Sequence, residues 1–485
     1  MPQRKSVVFL ANDQLFGRYS KAMIRKNNEI DMTQGPIFKH MLVMSLAVMA
    51  TGIFQQLFNT ADLLIVGQFG EKGGIASVGA CSSLINLMIN LFIGLSAGSG
   101  IVIAHHYGAK NNEEVSKCVH TAVTLSFVAG IILAIIAWFA SEPLLKLLDT
   151  PTENGILAGA TTYMKIYFLG MPFVLLFNFC SSILRAVGDT KRTFSYILQA
   201  GFINVILNLI FVIVFKLNVA GVALATIISQ CYCAIRCILC FLRYDGVLKL
   251  IPKNLRLHKD SLKDIAKLGI PSGIQSSLFS FSNVFIQSSV NSLGSAAVAG
   301  SAAAQNIELY QFFPADGVNN ALLSYTSQNY GAKKPERIKK ATFIAIAMIL
   351  TTSVTMGIFI IAFSKLLLSF YNVVDPVEVS FGIERIMIVS SFQFLGGLMN
   401  MTASLLRGVF KPIPAMVFSI AGICGFRLLW IATVFANHPS IGVLFMSYPI
   451  SWGISFAAQG SMFIYYFKKY SNKINMLKNT KSVQA

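Results

Sequence analysis

Asp62 stands near the end of a long apolar run, with Asn59 three residues before it and Gln55 seven before. At 100° per residue the three side chains share one helical face, a polar stripe ending in a carboxylate. Farther along, Asn204 and Asn208 lie four apart inside another apolar run, and Thr226 and Gln230 repeat that spacing in the next. One carboxylate with amide and hydroxyl oxygens can ligate a hard cation such as Na⁺, and a desolvated carboxylate can carry a proton instead. The chemistry expected of Asp62, Asn204, Asn208 and Thr226 is therefore reversible binding of H⁺ or Na⁺. The alternative for each Asn and Thr is a hydrogen bond between packed helices.

A second polar group sits in one later run. Gln305, Glu308, Asp316 and Asn319 fall within about 80° of one another at the helical repeat. An ionisable side chain at membrane depth costs about 2.5–3.5 kcal/mol on insertion scales, so each acid needs a role or a partner. The two acids can attract a cationic substrate or take part in coupling. Equally, they can pair with Lys165, Arg236, Arg385 or Arg427. Glu384-Arg385 reads as an interfacial pair. Ser276, Ser280, Asn283 and Gln287 form one polar face at i, i+4, i+7 and i+11. The expected substrate cavity is lined by Gln55, Asn59, Asn283, Gln287, Glu308 and Asp316.

Signatures of enzymes are lacking: no Gly-Lys-Ser/Thr phosphate loop, no His-Glu-x-x-His and no Gly-x-Ser-x-Gly elbow. No cofactor is expected beyond the coupling ion. His105-His106 reads as a solvated helix end. Cys231, Cys233, Cys237 and Cys240 crowd into one helix with no histidine nearby, which reads as small packing residues rather than a metal site.

The elements that must position these groups are membrane helices. Hydrophobic residues make up 55% of the 485 and charged residues only 12%, with a mean hydropathy of +0.65. Those values lie outside the soluble range. Twelve apolar runs are long enough to span a bilayer. Tyr107-Gly108-Ala109-Lys110 recurs as Tyr330-Gly331-Ala332-Lys333, 223 positions on, and Leu184-Arg185 recurs as Leu406-Arg407, 222 positions on. Two landmarks at nearly one offset mark a tandem duplication. Six helices per copy make the copies parallel repeats about an axis along the membrane normal. The fold class expected is an all-α integral membrane protein, twelve transmembrane helices in two six-helix lobes related by pseudo-two-fold symmetry. Its divisions are a tail at 1–37, an N-lobe at 38–245, a linker at 246–261, a C-lobe at 262–468 and a second tail at 469–485.

Lys and Arg gather in alternate loops, the linker and both tails, which predicts that the termini face the cytoplasm. The net charge of +19 is spread over short loops without nucleic-acid motifs, so no nucleic-acid partner is expected. Val7-Val8-Phe9-Leu10-Ala11 is too short for a signal-peptide core.

Several motifs together resemble the multidrug and toxic compound extrusion (MATE) family. They are Asn59-Thr60-Ala61-Asp62 with Val66-Gly67, the stretch Leu184 through Thr193, and Gly221-Val222-Ala223 with Thr226 and Gln230. Gln328-Asn329-Tyr330-Gly331-Ala332 and Leu406-Arg407-Gly408 complete the set. The resemblance implies a monomer in the plasma (bacterial inner) membrane, surrounded by lipid, whose cleft opens alternately to either side. It would export small organic cations or drugs against inward H⁺ or Na⁺. By the same resemblance Asp62, Asn204 and Thr226 match coupling positions of the family. Asn208 departs from it, standing where many relatives carry a second aspartate. Ala47 departs too, where relatives often have proline. The alternative within the superfamily is a lipid-linked saccharide flippase, which would need several basic residues in its cavity.

Overall fold

The computed structural model describes residues 29–69, 74–147, 150–152 and 155–483. The Val7–Ala11 patch lies outside them. Each of the twelve expected segments is helical. The N-lobe comprises α1 (Ile37–Phe69), α2 (Gly74–Gly108), α3 (Asn112–Leu147), α4 (Ile156–Leu169 and Met171–Ala186), α5 (Thr190–Leu209, continuing to 214) and α6 (Asn218–Leu242). The C-lobe comprises α7 (Lys259–Asn291), α8 (Ser295–Gly331), α9 (Pro335–Ala362), α10 (Pro376–Gly408), α11 (412–435) and α12 (Ile441–Val483). Among the described residues nine of these helices are apolar and long enough to cross a membrane, or ten if α4, bent by 51° at its break, counts as one span. The two below that threshold are α7 and α8, the helices whose polar faces the sequence singles out.

Corresponding helices of the two sequence copies meet across the lobes. α2 packs along α7, and its repeat mate α8 packs along α1, the mate of α7. Small residues permit the first crossing: a Cβ on Gly94 would lie 2.1 Å from the Gly273 nitrogen, and one on Gly98 2.5 Å from the Gly269 nitrogen. Backbones can approach this closely only without side chains between them. The mates α5 and α11 share another irregularity, since α5 turns π-helical at Ile210–Val214 and α11 at Ile420–Gly425 and Ile431–Phe435. Such widened turns re-aim side chains and recur at functional positions.

The end of the molecule rich in Lys and Arg is closed by residues 29–36, which the sequence assigns to a tail. Ile30 N–H bonds the Val187 carbonyl at 2.9 Å in the N-lobe. Met32 N–H bonds Gln328 Oε1 at 3.0 Å in the C-lobe, and Arg337 Nη2 donates to the Gln34 carbonyl at 2.8 Å. The segment is thus an ordered strap across both lobes. α12 runs unbroken to Val483, past the expected end of the C-lobe at 468. Tyr244, just before the linker, and Leu248 and Leu250 within it are buried in the N-lobe core.

Candidate functional site

Three helices of the N-lobe converge on Asp62. Late in α1, its Oδ1 accepts from Asn208 Nδ2 of α5 at 2.5 Å. The same amide nitrogen reaches Asn204 Oδ1 at 3.3 Å, and Asn204 Nδ2 reaches Thr226 Oγ1 of α6 at 3.5 Å. Thr226 in turn donates to the Val222 carbonyl at 3.0 Å. Asn204 and Asn208 are buried, at 5% and 0% exposure. All four residues expected to bind the coupling ion therefore form one continuous chain. The i, i+4 spacing stacks the two asparagines on one face of α5, and the π-helical turn begins two residues after Asn208. Asn208 Oδ1 is buried without a hydrogen-bond partner among the described residues, an oxygen available to a ligand. Tyr163 and Tyr167 of α4 lie close enough to act electrostatically on Asp62. The sequence reading missed them, although their own i, i+4 spacing was the available signal.

The C-lobe holds a separate cavity of about 320 Å³, lined among others by Phe279, Asn283, Glu308, Arg385, Arg427 and Trp452. Glu308 of α8 and Arg385 of α10 make a two-pronged ion pair in its wall: Nε to Oε1 at 3.0 Å and Nη2 to Oε2 at 2.9 Å. Arg385 Nη1 also donates to Ser301 Oγ at 2.7 Å. This corrects the reading of Glu384-Arg385 as an interfacial pair. Adjacent residues on a helix point about 100° apart, so Glu384 stays exposed while Arg385 turns inward. It also changes the expectation for Glu308, whose charge is matched within the protein. Two of the other candidate partners are engaged elsewhere. Lys165 stands over the Trp138 ring at 5.6 Å, and Arg236 donates to Tyr232 Oη at 2.8 Å.

Asp316 is not in the cavity wall. It accepts from Asn320 Nδ2 at 3.0 Å and lies within electrostatic reach of Arg185 and Arg407, the duplicated Leu-Arg arginines. Those two arginines, counted among loop charges in the sequence, lie in α4 and α10 within electrostatic reach of one carboxylate of α8. Glu308 and Asp316 share a face on a regular wheel but lie eight residues, about 12 Å, apart along α8. Gln55 and Asn59 are exposed on α1, and Gln287 is exposed and donates to Asn291 Oδ1 at 3.0 Å. Of the six residues expected in the substrate cavity, Asn283 and Glu308 line the one found here.

Two helical lobes of a membrane protein, with a half-buried carboxylate held by amides in one and an open cavity in the other, define a membrane transporter of the two-lobed class. The family model MatE matches residues 47–214 and 271–432, so the chain belongs to the MatE family. It is 26% identical over 433 residues to the probable multidrug resistance protein YoeA of Bacillus subtilis, covering 86% of this chain and 92% of that protein. It is likewise 26% identical over 418 residues to the probable multidrug resistance protein NorM of Thermotoga maritima, covering 84% and 88% respectively. Among solved structures, an outward-facing multidrug resistance MATE transporter of the MOP superfamily aligns with a TM-score of 0.85 at 20% identity, over 92% of this chain and 100% of the other.

Proposed function

We propose that the protein is a secondary multidrug antiporter that exports organic cations in exchange for an inward cation bound at Asp62. The observation that carries this reading is the Asp62–Asn208–Asn204–Thr226 chain. A half-buried carboxylate held by amides is a site whose occupancy changes its charge, and the charge change biases how the helices around it pack. Coupling follows when cation and drug favour different lobe arrangements, each displacing the other through the shared equilibrium. The names of the relatives support the same reading.

H⁺ is the first candidate ion, because Asp62 is the single carboxylate in this hydrogen-bonded series of side chains. Na⁺ is the second, favoured by the partnerless Asn208 Oδ1, an additional hard oxygen ligand. The Lys- and Arg-rich end, with the strap and linker, would face the cytoplasm. The flippase alternative finds less support, since one of the two cavity arginines is already neutralised by Glu308.

Reconstituted into proteoliposomes, the protein should move a cationic dye when a pH or Na⁺ gradient is imposed, each applied separately. Asp62→Asn should remove the gradient response. Gradient-driven transport by Asp62→Asn at the wild-type rate would sink the coupling role.

A further inference from the structure

Arg427 is a buried charge that the antiport reading leaves unused. It is only 4% exposed, lies in α11 between the two π-helical segments, and lines the C-lobe cavity. Its Nε donates to Ser451 Oγ at 3.1 Å, and its guanidinium lies 3.7 Å from the centre of the Tyr448 ring. The terminal nitrogens have no hydrogen-bond partner among the described residues, and no carboxylate pairs with it there. Arg385, its neighbour across the cavity, has its fork filled by Glu308. The cavity therefore presents one satisfied ion pair and one uncompensated cation.

A buried charge is retained at high desolvation cost unless something completes it. Tyr448 covers one face of the guanidinium, which offsets part of that cost and leaves the N–H edge free. That edge is the shape that recognises a planar carboxylate through two parallel hydrogen bonds. Phe279, Phe312 and Trp452 add apolar aromatic walls, and about 320 Å³ holds a compound of two or three fused rings. We infer that the C-lobe cavity binds a planar aromatic carboxylate, free or as the anionic half of a zwitterion, with the carboxylate on Arg427. A dianionic phosphate fits less well. Only one fork is open, and Glu308 repels the second charge. The assignment concerns binding alone and stands whether or not export is coupled at Asp62.

The test is calorimetric titration of the purified full-length protein in detergent with four matched naphthalenes: 1-naphthoate, 1-naphthamide, 1-naphthylmethylamine and 1-naphthyl phosphate. Naphthoate should bind at least about 10-fold tighter than the neutral amide and the cationic amine, a difference of about 1.4 kcal/mol. Arg427→Gln should bring naphthoate down to the affinity of the amide. Arg427→Lys keeps the charge without the fork and should weaken naphthoate several-fold while preserving its rank. Equal or tighter binding of the amine or the phosphate by the wild type overturns the inference, as does an unchanged naphthoate preference in Arg427→Gln. If the Gln variant does not purify as a single species, the wild-type ranking and the Lys variant decide the matter. Loss of dye transport in either variant would bear on the antiport reading and not on this one.

Discussion

Gly108 packs directly on the main chain of Gln328, so close that a Cβ on Gly108 would lie 1.9 Å from the Gln328 carbonyl oxygen. The mate of Gly108, Gly331, repeats the arrangement against the opposite lobe, with 2.0 Å to the His105 carbonyl oxygen. The duplicated Tyr-Gly-Ala-Lys is thus a pair of contacts across the lobe interface. Lys110 and Lys333, which end the two copies, adopt the same left-handed backbone, at φ 58° and 56°.

Replacing either glycine by alanine must push the two backbones apart. Gly108→Ala and Gly331→Ala should each destabilise the protein by about 1–3 kcal/mol, the usual cost of forcing a methyl into a packed contact. Gly453→Ala, where a Cβ meets nothing within 4 Å, should be neutral or stabilising by up to about 1 kcal/mol. Thermal unfolding in detergent compares the three, and equal midpoints would remove the interface role.

Breaking one half of the Glu308–Arg385 pair should cost more than removing both halves. Glu308→Gln leaves a buried guanidinium without its counter-charge, a loss of about 3–5 kcal/mol. Glu308→Gln combined with Arg385→Met should recover most of that. A double variant less stable than the single one would show that the pair is not the interaction that matters here.

Asn208→Leu takes from Asp62 its one amide donor while keeping the side chain's bulk. A shielded polar group deprived of its partner loses about 1–3 kcal/mol, or about 5- to 150-fold in an equilibrium constant. The pH or Na⁺ concentration giving half-maximal dye transport should shift accordingly in proteoliposomes. An unshifted midpoint would place Asn208 outside the coupling chain.

His258 ties the linker to the N-lobe: its N–H donates to Thr121 Oγ1 at 3.1 Å, and its Nε2 accepts from Arg256 Nε at 3.1 Å. Burial, and then the neighbouring Arg256 cation, push this imidazole below the ordinary histidine value. The folded ring is neutral where an unfolded one begins to take up a proton, near pH 6.5. Its contribution is therefore full above about pH 6.5 and lost as pH falls through the lowered folded value. Trypsin should cut at Lys253 and Arg256 faster at pH 5.5 than at pH 7.5, relative to a peptide control. His258→Asn should flatten that difference, and a wild-type linker equally resistant at both values would refute the attachment.

Much of this architecture follows from the sequence alone. Apolar length specified the helices, a constant offset specified the duplication, and i, i+4 spacing put Asn204 with Asn208 on one face because that period belongs to the helix itself. The Asp62 chain was legible for the same reason, each of its members standing in a local pattern. Tertiary packing alone decided which cation meets which acid. Glu308 and Arg385 are 77 residues apart, and Asp316 lies within electrostatic reach of Arg185 in one lobe and Arg407 in the other. Arg427 gave no local sign of its place either. The rotation of α11, with its widened turns on both sides, aims that guanidinium at Tyr448 and into the cavity. Helix periodicity tells which residues share a face, but what that face meets depends on how neighbouring helices cross, and no local spacing encodes that.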